Sequence, residues 1–400
     1  MIPFREALKT LLEAARPVER TETVPTLYAE SRILAEDIVS AIDVPPADNS
    51  QMDGYAVRSE DLSGASESSP VTLPVSQRIP AGRVGTRLEP GSAARIFTGA
   101  PIPPGADAVV QQELAQAGEG CVTFRAPVPR GRFIRPAGGD FKAGQPVLHA
   151  GEKLTPSKLG LAAAAGRAYV RVRQKLRVGI FCSGDELMRP GEPLRPGAIY
   201  NSNRYQLRAL LHALGCEVED VGSVGDTLEA TVEAFERAAR TSDVIITTGG
   251  MSVGEEDHVK PAVKSLGELT MWRLAVKPGK PFAFGQVRGV PFLGLPGNPV
   301  AVFVETLMLV RPYLAAMQGE KANPVRPIAV RADFDWKGGE REEFIRVRRN
   351  DAGGLDLMPN QNSQILSSCA FADGIVDVPV GGVIARGDSV DYYPLAEFLA

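Results

Sequence analysis

The chain has 400 residues, too many for one hydrophobic core, so about two to four domains are expected. Hydrophobic residues at 44% suffice to build those cores, and a formal charge of -4 gives no electrostatic footprint for nucleic acid. Four widely spaced cysteines without a CxxC pair, and only three histidines, argue against a zinc ribbon, a disulfide scaffold or histidine-based chemistry.

The opening MIPFREALKTLLEAA carries charges through its apolar pattern and reads as an amphipathic helix over 3–15, not a signal peptide. No run of about 18 apolar residues is present, so the expectation is a cytoplasmic protein that does not span a membrane. A second helical spacing falls at 27–36, on Leu27, Ile33 and Leu34. From Val44 to about Leu148, short β-branched runs alternate with Pro/Gly turns, the pattern of a small β domain. The helix-like PSKLGLAAAAG at 156–166 follows, so the β domain reads as an insertion into a helical N-terminal unit.

The third section alternates cleanly. Strands at 176–182, 217–221, 243–248 and 292–295 each precede a helix, near 203–214, 227–240, 257–266 and 299–316. Such alternation predicts βαβ crossovers and a mostly parallel sheet covered on both faces. After Pro324 only short strand-like runs remain, predicting a C-terminal β-barrel or sandwich of roughly 75 residues.

Ligands of open α/β sheets bind beyond the carboxyl ends of the strands. Here those ends read Ser183-Gly184-Asp185-Glu186, Gly225-Asp226-Thr227, Thr248-Gly249-Gly250-Met251-Ser252-Val253-Gly254 with Asp257, and Leu295-Pro296-Gly297-Asn298-Pro299. Each leads into a helix N-terminus, where free N–H groups and the dipole favour anions. Asp226 and Asp257 could serve as helix caps, and the glycines could only supply positive φ. Capping, however, needs neither Glu186 nor paired glycines followed by Ser252 and Gly254. Glu186, Asp226 and Asp257 are candidates to hold Mg²⁺, which takes one or two carboxylates together with substrate phosphate. Lys277-Pro278-Gly279-Lys280-Pro281 is either a rigid cationic clamp for an oxyanion or a turn with solvated lysines.

The motifs together resemble the molybdopterin molybdenumtransferase family, which includes the C-terminal domain of gephyrin. They are DNSQMDGYA at 48–56, IFTGAPIPPGADAVV at 96–110, RPAGGD at 135–140 and SGDE at 183–186, followed by TTGGMSVGEEDHV at 247–259, KPGKPFAFG at 277–285, LPGNPV at 295–300 and ADGI at 372–375. The resemblance runs in family order across nearly the whole chain.

It implies a multidomain α/β protein: a helical N-terminal domain (1–44 and 146–174), an inserted β domain (45–145), a molybdopterin-binding α/β sandwich (175–322) and a C-terminal β-barrel (323–400). It also implies a reaction, in which molybdate is inserted into adenylylated molybdopterin with Mg²⁺ assisting and AMP leaving. The cleft would be shared across a homodimer, the inserted domain of one subunit meeting the α/β domain of the other. Molybdopterin adenylyltransferase and molybdoenzymes become candidate partners.

By the same resemblance, Glu186, Asp226 and Asp257 form the acidic, metal-binding centre, and Lys277, Lys280, Arg346 and Ser368 the molybdate group. Pro296 and Pro299 shape their loop. Asp53, Thr98, Arg135, Asp140, Ser183, Gly249, Gly250 and Arg273 complete the substrate-binding set.

The chain departs from the family pattern at Gln51, Thr227, Arg273, Ala301 and Gln364. Ala301 and Gln364 bear on the molybdate pocket, since alanine lacks a hydroxyl to offer an oxyanion. Two rivals remain. The adenylyltransferase resembles only the α/β section, and a catalytically silent scaffold would have no need of the three acids and two lysines.

Overall fold

The computed structural model describes residues 1–251, 257–321 and 324–399, with Trp272 described by its backbone alone. The first helix, Phe4–Ala14, buries Phe4, Ala7 and Leu11, spaced to form one helical stripe. That stripe joins the large core shared by the α/β and C-terminal sections, and Phe4 meets Phe344 edge to face at 5.1 Å.

The helix expected over 27–36 is not formed. Only Thr26–Tyr28 makes a short 3₁₀ turn, and Ser31 takes a positive φ of 60° that no α-helix accommodates. The backbone is satisfied elsewhere: Leu34 N–H donates to Glu152, and Ala35 N–H to Arg171. Leu27 is 79% exposed, so its place in the helical spacing was coincidence. The N-terminal unit is instead a helix, Pro156–Ala164, beside the antiparallel pair Thr21–Pro25 and Tyr169–Arg173.

The inserted domain is a six-stranded sheet around Tyr55, Leu62, Val122 and Phe124. Beside it, Asn49–Ser50 pairs antiparallel with Ile134–Arg135.

The α/β section has six strands: β1 (Arg177–Ser183), β2 (Glu217–Val224), β3 (Val244–Thr248), β4 (Gly267–Trp272), β5 (Ala283–Val287) and β6 (Val290–Leu295). Their spatial order is β2-β1-β3-β6-β5-β4. β2, β1, β3 and β6 are parallel neighbours, as the alternation predicts, while β5 runs antiparallel to both β6 and β4. The sheet is therefore mixed at one edge. Helices α1 (Ser202–Ala213), α2 (Leu228–Thr241) and α3 (Val259–Leu266) fall where expected.

The segment 299–317 is apolar enough to cross a membrane by length and composition, yet Val302, Leu307, Leu309 and Leu314 lie in the core. It comprises α4 (Pro299–Glu305), a π-helical turn Thr306–Val310 and α5 (Arg311–Met317).

The C-terminal sheet is an open half-barrel with edges at Ile328–Arg331 and Val276–Lys277. The second edge comes from the α/β section, pairing with Glu342–Arg349. This strand brings the lysine loop and the C-terminal section together.

Candidate active site

The carboxyl ends of β1, β3 and β6 open into one cleft of about 1210 Å³, which residues 361–364 also line. Its acidic edge begins at Ser183, whose hydroxyl donates to Asp226 Oδ1 at 2.9 Å. The Asp185 N–H donates to Asp226 Oδ2 at 3.0 Å, and Asp185 Oδ1 accepts the Asp226 N–H at 3.1 Å. The two strand-end loops thus clasp each other. Thr227 caps α2, accepting the Ala230 N–H at 3.2 Å, which leaves Asp226 free of that duty.

Asp257 does not cap α3 either; the cap position is His258. Both carboxylate oxygens of Asp257 are buried without a hydrogen-bond partner among the described residues. Its pKa is pushed up to about 6, first by burial; the nearby Asp226 charge adds to the rise, against the pull of His258 and Lys260. Glu186 lines the same cleft. Among the described residues, however, no three acids, histidines or cysteines converge to hold an ion by themselves.

Gly249 and Gly250 join the acidic edge. A Cβ at Gly249 would stand 2.3 Å from the Ser183 carbonyl oxygen, so β3 can approach β1 this closely only without a side chain there. Ser252 and Gly254, also read as part of this loop, lie outside the described residues.

The lysine loop adds cations to the same lining. Lys277 pairs with Glu343 at 3.2 Å and stands 5.8 Å from the Trp336 ring, while Trp336 Nε1 donates to Glu343 at 3.0 Å. Lys280 is exposed and has no ion pair among the described residues. Pro296 and Pro299 line the cleft where the β6 loop passes, and Ala301 presents a methyl group in the first turn of α4.

Other residues named in the sequence lie elsewhere. Arg346 and Ser368 are 2% and 3% exposed and touch each other at 3.3 Å, but neither lines the cleft. Arg346 is one layer behind it. Its backbone N–H donates to Gln361 Oε1, and its carbonyl accepts from Gln361 Nε2. Arg346 Nη2 is buried without a partner among the described residues, and burial lowers its pKa.

Arg273 has a positive φ of 72° in the turn after β4 and is also outside the cleft lining. Asp53, Thr98, Arg135 and Asp140 sit on the inserted domain. Asp53 Oδ1 accepts both the Thr98 N–H and its hydroxyl at 2.8 Å, while Arg135 pairs with Asn49 and the Asp140 N–H donates to Val44. None of the four lines this cleft.

Sequence reasoning missed several lining residues: Asn201, Ser202 and Asn203 at the start of α1, Arg341, and Gln361 with Ser363. The first group was findable, because Asn201 caps a helix that begins at the same sheet edge. Asn203 Nδ2 donates to the Gly297 carbonyl at 2.7 Å, binding that helix to the proline loop.

Three family profiles match the chain: MoeA N-terminal region (domain I and II) over 2–166, probable molybdopterin binding domain over 179–316, and MoeA C-terminal region (domain IV) over 329–395. The chain belongs to the MoeA family.

A Mycobacterium tuberculosis relative called molybdopterin molybdenumtransferase 2 is 38% identical over 96% of both chains. A Haemophilus influenzae molybdopterin molybdenumtransferase is 43% identical over 80% of this chain and 79% of its own. The solved molybdopterin biosynthesis MoeA protein of Pyrococcus horikoshii superposes with a TM-score of 0.88 at 32% identity, covering 98% of this chain and 100% of that one. The Mycobacterium and Pyrococcus proteins match nearly the whole chain, and so span the inserted domain, the cleft and the C-terminal section together.

Proposed function

We propose that this cleft transfers molybdenum onto molybdopterin, taking molybdate and adenylylated molybdopterin and releasing AMP. The observation that carries the reading is one pocket lined by charges of both signs, Asp226 and Asp257 on strand-end loops and Lys277 and Lys280 on the lysine loop. A doubly charged oxyanion suits the lysines, and a phosphoanhydride needs its charge neutralised on the acidic side. The names of relatives matched over most of the chain support the same assignment.

The donors present fit Mg²⁺. Asp257 has two unpaired oxygens, and Asp226 is held in place by Ser183 and Asp185 with lone pairs left over. Two carboxylates completed by substrate phosphate and water match the usual habit of this ion, so a three-acid cage is not required. When bound, Mg²⁺ would offset negative charge on the phosphates.

The chain's own groups do the rest. Lys280 and Lys277 hold the oxyanion, Ser183 fixes the orientation of Asp226, and the N-terminus of α1 faces the same space. Asp53, Thr98, Arg135 and Asp140 would enter the cleft of a second copy, giving a homodimer with two shared sites in the cytoplasm.

The test is to supply adenylylated molybdopterin, molybdate and Mg²⁺, then follow AMP release and activation of an apo-molybdoenzyme. AMP formed without need of molybdate or Mg²⁺ would sink this mechanism.

A further inference from the structure

Behind the lysine wall lies an acid for which the proposed reaction has no use. Glu305, the last residue of α4, is 1% exposed, and neither carboxyl oxygen has a hydrogen-bond partner among the described residues. Burial alone pushes its pKa well above the ordinary carboxylate range. The helix that carries it starts in the cleft, with Pro299 and Ala301 in the lining. Immediately after Glu305 the helix widens into the π-helical turn Thr306–Val310, a distortion frequent at functional sites.

The side chain ends beneath the apex of the lysine loop. A Cβ on Gly279 would stand 2.2 Å from Glu305 Oε1 and 2.8 Å from its Cδ. The carboxyl therefore occupies the space that any side chain at 279 would need. Gly279 also has a φ of 104°, open to glycine and strained for other residues. Gly279, next to the buried Pro278, thus offers no side chain of its own to set the loop's depth. An unpaired buried acid costs stability that a leucine would not, yet one is kept at this spot.

We propose that Glu305 is a positioning residue: wedged under Gly279, its carboxyl sets how far the loop carries Lys277 and Lys280 into the cleft, and so tunes affinity for molybdate. This rests on the reading that the loop takes that oxyanion. Removing the wedge lets the loop settle toward the helix, which draws the ammonium groups away from the anion without touching the acidic edge.

The experiment is calorimetric titration of the purified protein with molybdate, beside molybdate-dependent AMP release. Glu305→Ala should weaken molybdate binding about tenfold and raise the half-saturating concentration by the same factor. The rate at saturating molybdate should hold, a split that general loosening would not produce. Glu305→Gln, of equal size and neutral, should keep most of the wild-type affinity.

Molybdate titrations of Glu305→Ala that superimpose on wild type would overturn the inference, as would equal losses in the Gln and Ala variants. If Glu305→Ala fails to fold, Glu305→Asp carries the test, because it withdraws the carboxyl from Gly279 by one methylene. Weaker molybdate binding by the Asp variant supports the wedge, and unchanged binding removes it. Wild-type protein that shows no molybdate dependence would instead bring down the functional reading itself.

Discussion

The inserted β domain and the α/β cleft both place aspartates at loop tips, and Asp53 in the one and Asp257 in the other are treated in opposite ways. In the inserted domain Asp53 accepts two hydrogen bonds from Thr98 and Asp48 accepts the Ala137 N–H, while Asp43 at the domain's boundary accepts the Ala143 N–H, all at 2.8 Å. Each carboxylate ties together loops far apart in sequence. The Thr98 backbone donor, foremost among its partners, holds Asp53 below the usual carboxylate range. In the cleft, Asp257 has no such donor among the described residues, and its pKa moves the other way. Asp226 also accepts a backbone donor, the Asp185 N–H, and is held in place as Asp53 is, so the contrast belongs to Asp257, whose desolvated carboxylate is kept for something that arrives later.

The largest expected effect follows from that contrast. Asp257→Asn should cut AMP release by roughly 10²-fold or more, the scale of losing one preorganised electrostatic partner. Because no hydrogen bond within the described residues is lost, its thermal midpoint should stay at or above the wild-type value. Asp53→Ala should do more structural harm, loosening the 98–101 turn. A stability loss in Asp257→Asn as large as that in Asp53→Ala would erase the distinction.

Next comes the question of whose cleft Asp53 serves. Its domain leaves all four of its named residues outside the cleft formed by its own chain. Mixing Asp53→Ala with Asp257→Asn subunits should then restore activity that neither variant has alone, since one site of the mixed dimer carries both intact residues. No recovery on subunit exchange would count against the shared site.

The residues themselves show what the sequence could reveal. Strand-helix alternation placed Ser183, Asp226, Gly249 and Pro296 at one sheet edge, and the structure gathers them in one pocket. Periodicity works here because buried parallel strands and amphipathic helices leave a regular trace. It failed at 27–36, where the backbone bonds to distant residues 152 and 171. Gln361 and Ser363 were illegible for a similar reason. They sit in a loop brought to the cleft by the pairing of Val276–Lys277 with Glu342–Arg349, a contact no local pattern announces. Arg346 was noticed, but nothing in sequence tells a lining guanidinium from one lying behind Gln361.

The two lysines sharpen the comparison on the cationic side. Lys280 has no ion pair among the described residues, whereas Lys277 neutralises Glu343, whose side chain is only 5% exposed. Lys280→Ala should raise the molybdate requirement about tenfold, roughly 1.4 kcal/mol, and leave the melting temperature unchanged. Lys277→Ala should affect both, because it strips a buried acid of its partner. Identical melting curves for the two variants would show that the Lys277 pair has no structural part.

The smallest effect belongs to an acid that lacks a full set of donors and yet faces no cleft. Asp377 Oδ1 is buried without a partner among the described residues, and its pKa is pushed up to about 7, chiefly by burial and then by the neighbouring Glu342 carboxylate. Asp391 adds to the rise and Arg5 opposes it. Here the missing donor is replaced by a proton shared with a second acid. Since the folded-state pKa lies above the unfolded value near 3.9, the folded protein binds more protons between there and about 7. The contribution to stability is present at low pH and lost as pH rises through that window. Asp377→Asn should remove it, so the melting temperature of the variant should fall less than that of wild type between pH 5 and pH 8, with AMP release unaffected. A parallel fall in the two proteins would mean that Asp377 does not titrate there. A loss of AMP release would place it with Asp257, and absence of donors alone would then be enough to mark a working acid.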